Sequence, residues 1–256
     1  MSAEVPLEAL LGWLLASVRM LALFTAAPLF GNLAIAPRIR LGLALVVAFA
    51  IAPAPPPGLI RGDLLHFAGL VACEALIGVS IGFAAQLIFN VFGLLGEFLS
   101  TQGGIGAARM LDPTSGVSSV ALAVALQDIA VLTYLGIGGH HALLRGAAES
   151  FARLPVGGGG PHAGAFLVIA GMGSVLYSAA VRLALPVTVA LLVSNAALGL
   201  LGRAIPQLNL MTLQLPAHVA GLLLLLALGA TALVDEAAAL LGPWTGHAVA
   251  VVVGAP

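Results

Sequence analysis

Five ionisable side chains stand where an apolar helix would carry them into lipid. Arg19, Glu74, Glu97, Asp128 and Arg182 fall within or at the ends of long hydrophobic runs. A charge at the bilayer centre costs about 3 kcal/mol on insertion scales, so each needs a partner, water or neutralisation. Three acids and two arginines suggest ion pairs between helices or between subunits. Asp128, with Gln127 beside it in the middle of the run 117–137, is the leading candidate for a buried polar group. Glu97 and Arg182 have glycine or proline close by and also suit side chains that reach back to the interface from a helix end.

The other chemistry-bearing residues read more plainly. His66, His140, His141, His162, His218 and His247 lack the paired helical spacing, with an acid, that zinc hydrolases use. His140 and His141 are expected to be an interfacial loop pair. Ser174, within Gly171-Met172-Gly173-Ser174, has no base at a suggestive spacing, so small-residue helix packing is the expected role. Cys73 is alone, which excludes disulfide frameworks and multi-cysteine metal sites within one chain. No residue set is read as catalytic, metal-binding or cofactor-binding.

The elements that position these residues are set by composition. The chain has 256 residues, 61% hydrophobic and 7% charged, against about 25% charged in an ordinary soluble domain. Apolar runs at 10–36, 41–52, 64–95, 117–137, 166–201 and 208–234 mostly reach the roughly 18 residues that suggest a membrane span. Aromatic residues are few, and every backbone group in hydrocarbon must be satisfied internally, so the expected fold class is all-α and polytopic. A formal net charge of −1 and the absence of lysine offer nothing to nucleic acid. Glu4 and Glu8 precede the first run where a cleaved signal would carry basic residues.

Proline and glycine punctuate the runs. Pro28 interrupts the first and Pro37 lies just past it, while Pro53, Pro55, Pro56 and Pro57 stop the second after a stretch that suits half of a hairpin. The third run would measure roughly 50 Å as one helix, so it must break, tilt or project. Gly78 and Gly82 form a small-xxx-small pair that either admits a close helix neighbour or reflects the 32 glycines of the chain. Residues 100–119 read as a polar, glycine-containing loop, and 138–165 as a second loop whose first part can hold a short helix. The run 166–201, interrupted by Arg182 and Pro186, and the run 208–234 suggest an antiparallel hairpin across a short turn. Residues 243–256 are apolar but too short to span. The arginines give no clean positive-inside alternation, as if some helices do not cross a flat bilayer in the ordinary way. A secondary transporter would show inverted repeats with a polar site at the midplane, and no convincing repeat exists. A membrane enzyme would lose turnover on mutation of Asp128, His140 or Ser174.

Short strings then recur in a familiar order. Pro28-Leu29-Phe30-Gly31 precedes Pro37-Arg38-Ile39-Arg40-Leu41-Gly42. Gly96-Glu97, Gln102-Gly103, Asp112-Pro113 and Gly116 follow, then Gly139-His140-His141, Ser150-Phe151 and Leu154-Pro155. Leu183-Ala184-Leu185-Pro186-Val187, Asn195, Leu198-Gly199, Pro206-Gln207-Leu208-Asn209 and Leu215-Pro216 complete the series. From about residue 19 to 225 the sequence resembles the FliR family of the bacterial flagellar export gate. It departs from the family at Gly138, where an acid is frequent, and at Ser100 and Gln214, where glycine is usual.

The resemblance implies a core, non-enzymatic subunit of the type III protein export gate, in the inner membrane at the flagellar basal body. FliP-like and FliQ-like subunits, other export apparatus proteins, membrane lipid and unfolded exported polypeptides would be its partners. It implies one helical membrane domain over 1–240, with a FliP-like part over 1–165 and a FliQ-like hairpin over 166–240, followed by a tail over 241–256. The loop containing Gly103, Gly104, Gly106, Arg109, Met110, Leu111, Asp112 and Pro113 would be a plug in the closed channel. Pro206, Gln207 and Asn209 would form a family turn. The T subunit of a virulence injectisome is the near alternative.

Overall fold

In a computed structural model the described residues are 7–31, 35–53, 64–104, 120–161, 164–204 and 210–254. They form eight helices and no strand: α1 Leu7–Ala26, α2 Pro37–Ile51, α3 Leu64–Gln102, α4 Val120–Gly136, α5 Gly139–Arg153, α6 Ala165–Ala204, α7 Leu210–Leu228 and α8 Ala230–Val253. Glu8–Ala26, Leu64–Gln102, Ala165–Leu200 and Ala230–Val253 are each long and apolar enough to cross a membrane. The pair α4 and α5, bent by 70°, would add a fifth crossing if it forms one span. The chain is an all-α polytopic membrane protein.

Local chemistry explains most boundaries. Pro28 follows the end of α1, and the turn is closed by the Gly31 amide donating to the Ala27 carbonyl at 2.7 Å. Arg40 then straps that turn to the start of α2, its Nε donating to the Phe30 carbonyl at 2.9 Å. Pro37 opens α2 at a position where a missing amide hydrogen costs nothing. Helices α1 and α2 pack together, and Trp13 meets Phe49 edge to face with ring centroids 6.3 Å apart. Between α4 and α5, Gly138 adopts a left-handed conformation at φ 74°, which glycine takes up without steric cost.

Of the three ways open to the third run, breaking is the one it does not take: α3 is one helix of 39 residues, roughly 58 Å long at about 1.5 Å per residue. It contains no proline and takes in Ser100 and Thr101, which shortens the loop that follows. Pro186, Pro216 and Pro243 all lie inside helices, α6, α7 and α8, so Pro186 interrupts the run 166–201 without ending its helix. A proline removes one helical hydrogen bond but need not stop a helix whose neighbours hold it. The segment after Pro243 is accordingly the second half of α8, and the run 208–234 divides instead at Gly229.

The helices sort into two compact units, one comprising Met1–Ile88, Tyr134–Met172 and Leu240–Pro256, the other Phe89–Thr133 and Gly173–Ala239. The first has a core of Leu15, Leu23, Phe24, Ile77, Ile81 and Phe151. The Trp244 indole of α8 donates to the Ala84 carbonyl at 2.7 Å within it. In the second, Gly96 of α3 lies so close to α4 that a Cβ would come within 2.9 Å of the Leu122 carbonyl. Phe98 meets Tyr177 edge to face at 6.1 Å.

Candidate functional site

Two of the five flagged charges find each other. Arg19 lies on the α1 face that buries Leu15 and Leu23, and Glu74 on the α3 face that buries Ile77 and Ile81, as a four-residue spacing on a helix requires. The Arg19 Nε donates to the Glu74 Oε2 at 2.6 Å, with the two side chains 1% and 0% exposed. Nη1 donates to the Ser150 Oγ at 3.3 Å and Nη2 to the Leu154 carbonyl at 3.0 Å. The guanidinium also sits 4.3 Å from the Phe151 ring centre, where a desolvated cation gains from the ring quadrupole. Glu74 uses its second oxygen to accept the Gly157 amide at 2.8 Å. Ser150 passes its own hydrogen to the Ala147 carbonyl at 2.7 Å.

Both charges are thus neutralised by each other and hydrogen-bonded beyond the pair, the condition under which buried ions are tolerated. The node ties α1, α3, α5 and the segment 154–157 at one point. Gly78 and Gly82 make it reachable. One and two turns beyond Glu74, a Cβ on Gly78 would strike the Arg19 carbonyl and the Ala22 side chain, and one on Gly82 would lie 2.6 Å from the Leu23 carbonyl. Close backbone approach, rather than glycine abundance, accounts for this pair.

Glu97, Asp128 and Arg182 are exposed on the chain's own surface, and none has an ion-pair partner among the described residues. Asp128, expected as a buried polar group paired between helices or between subunits, is exposed on α4 in the single chain, where Leu126 and Ala130 are buried. A Cβ added at Gly171 or Gly173 would meet nothing within 4 Å among the described residues, so no helix comes as close to these two glycines as α1 comes to Gly78. His140 and His141 do lie together, ring centroids 4.0 Å apart, in the first turn of α5 rather than in a loop. Among the described residues no three His, Cys, Asp or Glu side chains cluster to hold a metal.

At the end of α3, a Cβ on Gly103 would collide with the Leu222 side chain of α7, and Gly104 has φ 78°. Gly106, Arg109, Met110, Leu111, Asp112 and Pro113 lie outside the described residues, as do Pro206, Gln207 and Asn209. Sequence reasoning missed Ser150, Phe151, the Leu154 carbonyl and the Gly157 amide as partners of the ion pair. The one available signal was that Ser150-Phe151 and Leu154-Pro155 sit among the recurring strings, which says nothing of contact.

Comparison with known proteins fits this framework. Residues 10–242 match the model of the family described as bacterial export proteins, family 1. The flagellar biosynthetic protein FliR of Escherichia coli (strain K12) is 34% identical over 199 residues, covering 78% of this chain and 76% of that protein. FliR of Pectobacterium carotovorum subsp. carotovorum is 35% identical over 201 residues, 78% of this chain and 76% of that one. FliR of Bacillus subtilis (strain 168) is 30% identical over 215 residues, 81% and 82% of the two chains. With apolar helices, a paired buried charge and a family match that runs through nearly all of them, this chain belongs to the FliR family of bacterial export proteins.

Proposed function

We propose that the chain is a core subunit of the flagellar type III protein export gate, lodged in the inner membrane at the basal body. It joins FliP-like and FliQ-like subunits and other export apparatus proteins around a conduit for unfolded flagellar polypeptides. It performs no covalent chemistry and needs no cofactor. The observation that carries this reading is the family match across residues 10–242. The flagellar names of the relatives favour this branch over the injectisome. The reading is tested by deleting the gene and complementing it. Loss of motility and of flagellar protein secretion, both restored by this chain, is expected; unchanged secretion in the deletion contradicts it.

Partner subunits would also account for the surface. Helix α6 leaves Leu167, Val175, Leu192, Val193 and Leu200 exposed, and Glu97, Asp128 and Arg182 are ionisable side chains exposed on otherwise apolar helices. Neighbouring subunits of opposite charge would satisfy them. Asp128→Lys is expected to lower recovery of partner subunits about tenfold or more, since like-charge contact at an interface easily costs about 1.4 kcal/mol. The folding of the isolated variant chain, read by its helical circular dichroism, should not change.

In this reading the loop that begins at Gly103 and Gly104 is the plug, and the division into FliP-like 1–165 and FliQ-like 166–240 parts follows the resemblance. Glycines allow tight folding, and Met110 and Leu111 would seal against apolar rings of the channel. Deleting residues 104–108 is expected to raise membrane conductance to small ions while the complex still assembles. Unchanged conductance in that variant counts against the plug.

A further inference from the structure

Helix α5 is sharply two-sided. Leu143, Ala147 and Phe151 face the core, whereas His141, Arg145, Glu149 and Arg153, each four residues from the next, form an exposed stripe. That stripe is one wall of a cavity of about 660 Å³ whose opposite wall is α8, with Val249 and Val253. The floor lies at Gly146, where a Cβ would collide with Val249. Among the described residues neither Arg145 nor Arg153 has an ion-pair partner, so two guanidinium groups stand against one carboxylate on the polar wall.

We propose that this groove binds an anionic glycerophospholipid, with its phosphodiester on the arginine wall and an acyl chain along the valine wall. The two walls ask for an amphiphile. A water-soluble anion would leave the exposed Ile137 and the half-buried Ala250 and Val253 of the lining wetted, and a neutral apolar ligand would leave Arg145 and Arg153 without a counter-charge. The chain is embedded in a membrane, so the matching ligand is at hand. Arg145 and Arg153 are about 12 Å apart along the helix axis, room for a phosphodiester and the glycerol beside it. Glu149, between them, can accept from a headgroup hydroxyl, as a glycerol headgroup provides. Guanidinium donors suit phosphate oxygens because they form paired hydrogen bonds.

The full chain, purified in neutral detergent, is titrated with phosphatidylglycerol and with phosphatidylcholine of the same acyl chains, and retained lipid is counted by native mass spectrometry. Phosphatidylglycerol is expected to be retained about tenfold better or more, the effect of two nearby cations on an anionic headgroup. The double variant Arg145→Gln, Arg153→Gln should lose that preference with its helical circular dichroism unchanged. Equal retention of the two lipids by the unaltered chain overturns the proposal without reference to any variant. Displacement of phosphatidylglycerol by inorganic phosphate alone overturns it in favour of a bare anion site. An intact lipid preference in the double variant, with loss of a co-purifying subunit, overturns it in favour of a protein occupant.

Discussion

Replacing Arg19 with leucine is expected to destabilise the chain by about 3–5 kcal/mol, because it leaves Glu74 buried without its counter-charge. The loss spreads further than one contact. Ser150 and the Leu154 carbonyl lose their donor, which leaves the segment 154–157 with the Gly157 amide on Glu74 and the buried Val156 as its ties among the described residues. The melting midpoint of the detergent-solubilised chain should fall by roughly 10 °C, on the usual scale for a chain of this size. Replacing both Arg19 and Glu74 by leucine should recover part of the loss, since an absent pair costs less than a broken one. A double variant no better than Arg19→Leu alone would mean that the pair does not act as a unit.

Gly78→Leu is expected to come close to the same loss by a different route. Overpacking a tight contact costs about 1–3 kcal/mol. Here the obstruction is the backbone carbonyl of Arg19 itself, which cannot move aside as a flexible side chain can. Pushing α1 off α3 one turn from Glu74 also stretches the 2.6 Å contact between Arg19 and Glu74. Gly42→Leu supplies the control, because a Cβ at Gly42 meets nothing within 4 Å, and a surface change of that kind stays within about 0.5 kcal/mol. Thermal unfolding of the two variants side by side reads the difference. Equal effects would show that glycine at 78 is not there for close approach.

The sequence announced the class of the protein and the oddity of its charges, but not their pairing. Arg19 and Glu74 are each conspicuous as ions in apolar runs, yet 55 residues separate them, and no local pattern says which acid meets which arginine. Two of the node's partners are a backbone carbonyl and a backbone amide, groups that every residue carries and that no residue type betrays. The glycines show the same limit. Gly78 and Gly82 meet a neighbouring helix, whereas a Cβ added at Gly171 or Gly173, equally suggestive on paper, would meet nothing within 4 Å among the described residues. Proline misled in the opposite direction, since Pro186 read as an interruption and lies inside a continuous helix. Where backbone conformation itself was demanded the letters were reliable: Gly138 supplies the left-handed residue between α4 and α5, and Pro28 stands just beyond the end of α1.

The exposed Asp128 is instructive for the same reason. A charge in the middle of an apolar run has to be accommodated, but the accommodation need not lie inside one chain. A subunit whose ions are met partly at home, as at Arg19, and partly abroad, as proposed for Glu97, Asp128 and Arg182, would have its apolar helix faces fully satisfied only in company. This ties the surface to the proposed role in the gate.

The central claim is tested most directly by isolating the affinity-tagged chain, under mild detergent, from the bacterium that makes it and identifying what comes with it. FliP-like and FliQ-like membrane subunits at constant ratio to the tagged chain, and their loss in the Asp128→Lys variant, are the predicted result. A tagged chain recovered alone, well folded and without either subunit, would contradict the account.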